Sequence, residues 1–275
     1  MPLTLTRISD TTVPIELEGL TPDRCASLST SEIQNFTCFE GNRKRRLADL
    51  FQIAGTASDL QLVLQGDFSA VHWIGAGMQS GKILVKGDAG RHLGSSMTGG
   101  EIEVTGNAAG WAGAEMRRGL IRIRGNAGHC AGGALPGSVR GMTGGTLLIH
   151  GHCGDEAGLA MRRGLIAIAG STGEFAGRNM IAGTLLTGGT CGPRAGAGMR
   201  RGTLVLAAGS DAPLLPAFSF SGILELVTTR LRQKRLLSLS FPVAPAVPGA
   251  RLAVFRGDLS ARGMGEIILP AEFVT

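Results

Sequence analysis

The sequence has no tyrosine and only two tryptophans, and aromatic residues make up 4% of it. A core built from large rings is therefore excluded. Small and aliphatic side chains must fill the interior, and they pack densely only in thin, regular layers. The five cysteines (Cys25, Cys38, Cys130, Cys153 and Cys191) are odd in number, and none stands in a CxxC. That pattern argues against a disulfide framework and against a zinc or iron–sulfur site, and it fits a reducing, cytoplasmic setting. No charge-free stretch reaches the ~18 residues of a spanning helix. The N-terminus MPLTLTRISD lacks the charged-then-apolar order of a secretion signal. No nucleophile has a base in local reach, no carboxylates pair in a defined slot, and no cofactor fingerprint occurs, so no catalytic residue is assigned.

What the chain does have is glycine, 44 residues of 275, and a net charge of +6. The charge favours acidic partners. Nucleic acid is not expected, because no basic patch interleaves with aromatics able to stack on bases. The mean hydropathy of +0.19 reflects Gly, Ala and aliphatic residues rather than a membrane segment.

The glycines fall in a repeat. Units open at Met78, Met97, Met116, Met142, Met161, Met180 and Met199, and a degenerate unit precedes them from Ala57. The steps are 19 residues, except for one of 26. Each first half alternates, as in Ile83/Val85, Ile102/Val104, Ile121/Ile123, Leu147/Ile149, Ile166/Ile168 and Leu204/Leu206. Period two means a strand with one face inward. Nineteen residues cannot hold a strand-helix-strand crossover. The predicted fold is therefore all-β: a parallel, right-handed β-helix of about eight coils, capped by small α/β terminal segments. At ~4.8 Å per coil the rod is roughly 35–40 Å long. The expected divisions are an N-terminal cap over 1–56, the coils over 57–209 and a C-terminal cap over 210–275.

The second half reads GxxGxxxG: Gly87/Gly90/Gly94, Gly125/Gly128/Gly132, Gly151/Gly154/Gly158, Gly170/Gly173/Gly177 and Gly189/Gly192/Gly196. One such triple could cradle phosphate, but five in register cannot all do so. They are read as structural, turning corners at positive φ and letting coils approach. Leu93, Ala112, Ala131, Ala157, Ala176 and Ala195 precede the last glycine and imply a narrow rod without a ligand cavity. A polar column follows the first glycine: Asp67, Asp88, Asn107, Asn126, His152, Ser171 and Thr190 are expected to bond successive coils. His150 and His152 flank Gly151, but no further ligand accompanies them, so no metal site is expected. Cys153 and Cys191 share a slot two coils apart, ~10 Å by the strand spacing, too far to bridge.

Three units open with MRRG, at every second coil. Arg117/Arg118, Arg162/Arg163 and Arg200/Arg201 are expected to line one edge as a spaced basic ladder. Such a row either keeps the edge soluble or docks carboxylates of a partner or a polyanion. Leu84, Leu148, Leu186 and Val205 fall on the outward face, where a terminal segment or another subunit must cover them. The seven extra residues of the Met116 coil lie in GALPGSVRG (133–141), a protruding loop whose Arg140 joins the interface candidates. At the ends, Thr21–Pro22 and Ser29/Glu32 read as helix starts. Arg43 to Arg46 read as solvated. Leu224, Val227 and Leu231 have helical spacing and are expected to pack over the last coil.

The serial GxxGxxxG units resemble the C-terminal β-helix of the glutamate synthase large subunit. More closely, the chain resembles the C-subunit family of formylmethanofuran dehydrogenases. That likeness rests on PIELEGLTPDR, GNRKRRLADLFQIAG, the MTGG and MRRG openings and the ending GDLSARGMGEIIL, and it covers nearly the whole chain. Composition inclines it toward the C-subunit of the bacterial formyltransferase/hydrolase complex. The resemblance implies a non-catalytic scaffold subunit of a complex that transfers formyl from tetrahydromethanopterin to a methanofuran analogue and releases formate. It implies amidohydrolase-like and formyltransferase-like partner chains. Methanofuran-type cofactor, tetrahydromethanopterin and metals are expected in those partners, with none bound by this chain. The alternatives are the C-subunit of a molybdenum or tungsten formylmethanofuran dehydrogenase, a glutamate-synthase-like domain and a stand-alone polyanion binder. No nucleic acid or membrane partner is expected.

Overall fold

The computed structural model describes residues 1–9, 11–225, 227–242 and 251–273, without the side chains of 227–230 and 232. Every repeat delivers one strand to the same sheet. Gln61–Gln65, Lys82–Lys86, Glu101–Val104, Leu120–Ile123, Thr143–Ile149, Arg163–Ile168, Thr184–Thr187 and Arg201–Leu206 pair in that order, all parallel. The register puts like on like: Ile83, Ile102, Ile121, Leu147, Ile166, Leu185 and Leu204 form one file. A second parallel ladder of single bridges runs through Phe68, Ala89, Ala108, Ala127, Cys153, Thr172, Cys191 and Ser210. Ala127 meets Cys153 and Ile121 meets Leu147 directly, so both files run on past the insertion, and the pairing is irregular only between Thr143 and Thr146 at the start of the strand that follows it.

The terminal segments extend this sheet. Leu3–Arg7 pairs parallel to Gln61–Gln65 at one end, and Met264–Pro270 pairs parallel to Arg201–Leu206 at the other. Antiparallel strands then close the edges, Phe51–Ala54 beside the first and Leu252–Gly257 with Ser219–Leu224 beside the last, giving thirteen strands. The fold is all-β in character. Its α-helices lie in the terminal segments: Pro22–Cys25, Thr30–Gln34, Leu47–Leu50 and Val227–Ser238. Ser29 and Glu32 form the expected capping box, and Pro22 opens its helix without a side-chain cap from Thr21. Arg43–Arg46 is an exposed edge strand of a small four-stranded sheet, with Arg45 and Arg46 paired to Glu40 and Asp49. Charge along an edge discourages pairing with another chain.

The repeated phrase M-x-x-G has a packing cause. All seven opening methionines are fully buried. Each reaches beneath a glycine of the following repeat: a Cβ on Gly100 would lie 2.5 Å from Met78 Cε, and one on Gly119 would lie 2.8 Å from Met97 Cε. Methionine is the unbranched apolar residue that fills such a gap.

The GxxGxxxG glycines divide by cause, and positive φ accounts for fewer of them than the sequence suggests. The last of each triple is the corner: Gly94, Gly132, Gly158, Gly177 and Gly196 all have positive φ, from +61° to +74°. Their missing Cβ atoms also leave room for core side chains. A Cβ on Gly94 would lie 2.5 Å from Ile121 Cδ1, one on Gly158 would lie 3.0 Å from Leu185 Cδ1, and one on Gly196 would lie 2.8 Å from Phe218 Cζ.

The middle glycines turn no corner. Gly90, Gly128, Gly154, Gly173 and Gly192 are not at positive φ. They are small because the preceding repeat lies against them. A Cβ on Gly128 would lie 2.6 Å from the Gly110 nitrogen, one on Gly154 would lie 2.9 Å from the His129 nitrogen, and one on Gly192 would lie 2.7 Å from the Gly173 carbonyl carbon. At Gly90 and Gly173 it would strike the Val71 carbonyl and the Asp155 carboxylate.

The first glycines serve the polar column, Gly87 (φ +140°) excepted. Asn126 donates its backbone N–H to Asn107 Oδ1 (2.8 Å), and His152 donates likewise to Asn126 Oδ1 (2.8 Å). Ser171 donates to His152 Nδ1 (3.1 Å). Each acceptor crosses the glycine preceding the donor. A Cβ on Gly125 would lie 2.5 Å from Asn107 Oδ1, one on Gly189 would lie 2.5 Å from Ser171 Oγ, and one on Gly151 would strike Asn126 Oδ1. Gly170 is confined in the same way, by the Gly151 carbonyl and His152 Nδ1. Asp67 is no rung, because its carboxylate accepts from Ser69 in a local turn.

The outward aliphatics are covered by the chain itself. Leu148, Leu186 and Val205 are buried with Leu236, Phe241, Leu252 and Ile268 in a second apolar cluster. For these three, the subunit-interface alternative is corrected and the terminal-segment alternative holds: the C-terminal segment returns across the sheet's outer face. Leu84, far from that cover, stays half-buried. The helix packs through Leu236. Leu231 is exposed, Leu224 lies exposed in a strand, and the Val227 side chain lies outside the described residues.

Gly151→Ala should destabilise the chain by about 1–3 kcal/mol, the cost of displacing Asn126 and unpairing the His152 N–H. Denaturant melts of Gly151→Ala, Asn126→Ala and the double variant check this. The double should lose less than the sum of the singles, because Asn126→Ala removes the atom that the introduced methyl would strike.

Candidate functional site

The six arginines of the MRRG pairs are all exposed. Among the described residues none has an ion-pair partner, whereas Arg124, Arg178 and Arg194 are paired to Glu103, Glu156 and Glu174. The first arginine of each pair is anchored through its backbone: Arg117, Arg162 and Arg200 donate to the Met97, Met142 and Met180 carbonyls at 2.8 Å. The pairs do not serve one edge alone. Arg118 lines a groove of about 550 Å³ with Arg235, whose Nη2 donates to Thr146 Oγ1 at 3.4 Å. Arg200 lines a different groove of about 980 Å³ with Arg140 and Arg262. Arg118 and Arg200, members of different pairs, thus open on different grooves.

The larger groove is bounded by the insertion 133–141 on one side and by the C-terminal turn at Ser260–Arg262 at its far end. Val139 at the loop tip is 78% exposed. The one carboxylate in the lining, Glu156, is held by Arg178 and lies 3.6 Å from Cys130 Sγ. Burial pushes the Cys130 thiol up to about 11, with Glu156 adding to the shift, so this sulfur is a poor nucleophile at neutral pH. All five cysteines are free and buried.

Beside the groove runs a corner column of residues at positive φ: Trp73, His92, Trp111, Cys130, Glu156, Phe175 and Arg194. His92 stacks on Trp73 at 4.0 Å and on Trp111 at 5.3 Å between ring centroids. Sequence reasoning passed over this column. Its signal was the interval between Trp73 and Trp111, twice the 19-residue repeat. Among the described residues no three His, Cys, Asp or Glu side chains gather as a metal site. His150 stands edge-on to Phe241 at 4.9 Å, and His152 is a rung of the polar ladder. No helix among the described residues is long and apolar enough to cross a membrane.

Three histidines are biased toward the neutral form. Burial lowers His72, with Arg91 adding; burial lowers His92, with His72 and Arg91 adding; burial lowers His150, with Arg124 and Arg122 adding. A histidine depressed in the folded state contributes stability above its unfolded value of 6.5, and that contribution is lost as pH falls through the folded value. Melting temperature should therefore hold above about pH 7 and fall as pH drops below about 6.5. His92→Phe, which keeps the stack and removes the titration, should flatten part of that slope in thermal melts run from about pH 8 to about pH 5.

The fold and its surface define a repeat-built all-β chain whose charged grooves and corner columns lie outside a closely packed interior. No family model matches the chain. The C-subunit of the molybdenum-containing formylmethanofuran dehydrogenase 1 of Methanothermobacter marburgensis is 43% identical over 86 residues, 31% of this chain and 22% of that protein. The C-subunit of the tungsten-containing formylmethanofuran dehydrogenase 2 of Methanothermobacter thermautotrophicus is 36% identical over 85 residues, 30% of this chain and 32% of that protein. The matched stretch thus spans between a fifth and a third of these curated relatives. A chain of the crystal structure of the formyltransferase/hydrolase complex from Methylorubrum extorquens, solved with methylofuran, matches with a TM-score of 0.91 and 38% identity over 98% of this chain and 99% of that one. The chain belongs to the C-subunit family of formylmethanofuran dehydrogenases, and its likeness to the bacterial formyltransferase/hydrolase complex runs end to end.

Proposed function

We propose that this chain is the scaffold subunit of a formyltransferase/hydrolase complex, built as a right-handed parallel β-helix. The observation that carries this reading is the end-to-end match to a chain of such a complex, against a match to the dehydrogenase subunits over about a third of the chain. In this reading the complex moves a formyl group from tetrahydromethanopterin to a methanofuran analogue and hydrolyses it to formate. Amidohydrolase-like and formyltransferase-like partners carry the chemistry and hold the pterin, the furan cofactor and the metals. This chain supplies no active site of its own. Membership of a molybdenum- or tungsten-dependent dehydrogenase is the second reading, favoured by the 43% identity in the shared stretch.

Parallel pairing at two positions per repeat supports a scaffold, because such stacking yields a body whose outer slots vary while its interior is fixed. The arginine pairs then serve recognition. Arg117, Arg118, Arg162, Arg163, Arg200 and Arg201, all exposed, present unpaired guanidinium groups to carboxylates of a neighbouring subunit or of an acidic cofactor tail.

Native mass spectrometry of the tagged chain, purified from its host in mild salt, tests the assignment. It should reveal a hetero-oligomer with metallohydrolase-like and formyltransferase-like chains. A molybdopterin-binding chain in their place would move the protein to the dehydrogenase, and a lone monomer would contradict both. Arg162→Gln/Arg163→Gln should weaken assembly or cofactor affinity, more so at low salt than at high salt. Unchanged assembly and turnover would leave those arginines a role in solubility alone.

A further inference from the structure

The groove beneath the insertion combines features that the packing of the repeats does not require. The corner slot that holds Trp73, His92, Trp111 and Phe175 holds Cys130, Glu156 and Arg194 in other repeats. The fold therefore demands neither size nor aromaticity there. Positive φ is costly for a bulky side chain, so a ring at that position needs a reason beyond the corner itself. The chain has two tryptophans in all, and both occupy this slot, half-buried, with Trp111 at the mouth of the groove. Tryptophan and arginine are the side chains that dominate binding at protein interfaces.

The charge of the groove is one-sided. Arg140, Arg200 and Arg262 line it without ion-pair partners among the described residues, while its single carboxylate, Glu156, is already engaged by Arg178. Leu135, Val139 and Ile181 add apolar surface between these cations. Trp111 and Gly198 belong to units four steps apart, so the groove runs for roughly 20 Å at the spacing of paired strands, the length of about six extended residues. Nucleic acid is a poor occupant, because His92 closes a face of each tryptophan against base stacking.

We propose that this groove, between the 133–141 loop and the corner at Trp111, docks an extended acidic segment of a partner subunit. Its carboxylates meet Arg140, Arg200 and Arg262, and its aliphatic side chains lie against Val139, Leu135 and Trp111. The inference rests on the reading of this chain as a subunit of a complex. It differs from the arginine-pair proposal in its determinants, since Arg140, Arg262 and Trp111 lie outside the MRRG phrase.

The test compares the complex assembled with wild-type chain and with Arg140→Glu/Arg262→Glu, and places a photo-crosslinker in the assembled complex as Val139→p-benzoylphenylalanine. The double reversal should weaken assembly at least about tenfold at low salt, with the difference shrinking as salt rises. The crosslink should map to an acidic stretch of another subunit. Wild-type affinity in the double reversal would overturn the proposal, as would a crosslink to a second copy of this chain, to a small-molecule adduct or within the chain itself. Should the double reversal fail to fold, which its melting curve reveals, the crosslink decides alone. Failure of the wild-type chain to join any complex would sink the subunit reading first, and so the two failures are told apart.

Discussion

Everything in this molecule depends on the parallel, in-register pairing of one 19-residue unit with the next. Pairing occurs twice per unit, once along a strand and once at a single bridge. It fixes every side chain relative to its counterpart one repeat away, so that a residue type suited to a slot suits it in every unit. Methionine recurs because its methyl fills the space under the following glycine. Isoleucine recurs because its Cδ1 occupies the space that the corner glycine leaves empty. The polar rung recurs because a backbone N–H in the next unit must be met. The scarcity of aromatics in the interior follows from the same constraint: layers this closely spaced accept alanine on the inward side just before the corner glycine, as at Ala112, Ala131, Ala157 and Ala176, all fully buried.

Much of this was legible from the sequence, because a repeat displays its constraints several times over. The period, the strand halves, the polar rungs and the capping box at Ser29 and Glu32 could each be read from spacing. What resisted reading was whatever lies outside the period. Leu148, Leu186 and Val205 left cover by a terminal segment or by another subunit open, since nothing local shows that Phe241 and Leu236 return across them. The reason for each glycine was also hidden. Gly94, Gly128 and Gly151 look alike in a string. Yet the first turns a corner, the second admits the backbone of the repeat before it, and the third makes room for Asn126. The arginine pairs read as one ladder because spacing along the chain does not reveal that Arg118 and Arg200 open on separate grooves. The tryptophan column was present as an interval of two repeats, but with only two members it did not stand out as a pattern.

The functional consequence is a division of labour between interior and surface. The interior slots admit few alternatives, whereas outer slots change freely from unit to unit, as the corner column does from Trp73 to Arg194. Specific recognition can therefore be written onto the exterior without disturbing the stack. The insertion does this directly: it leaves the ladder at Ala127 and Cys153 intact and raises a wall beside three unpaired arginines. A protein made this way suits the holding of other chains in fixed relation, as the proposed function requires, and the chain that it matches throughout its length belongs to a multi-subunit complex.

Amide hydrogen exchange at single-residue resolution tests the central constraint most directly. The backbone N–H groups of Asn107, Asn126, His152 and Ser171 lie outside the strands, and their side chains face solvent or lie half-buried. In-register stacking predicts that they exchange as slowly as the strand amides of Ile102, Ile121 and Ile166. Exchange of these four at the rate of the 136–140 loop amides would contradict the ladder, and with it the stacking on which the grooves and their proposed partners rest.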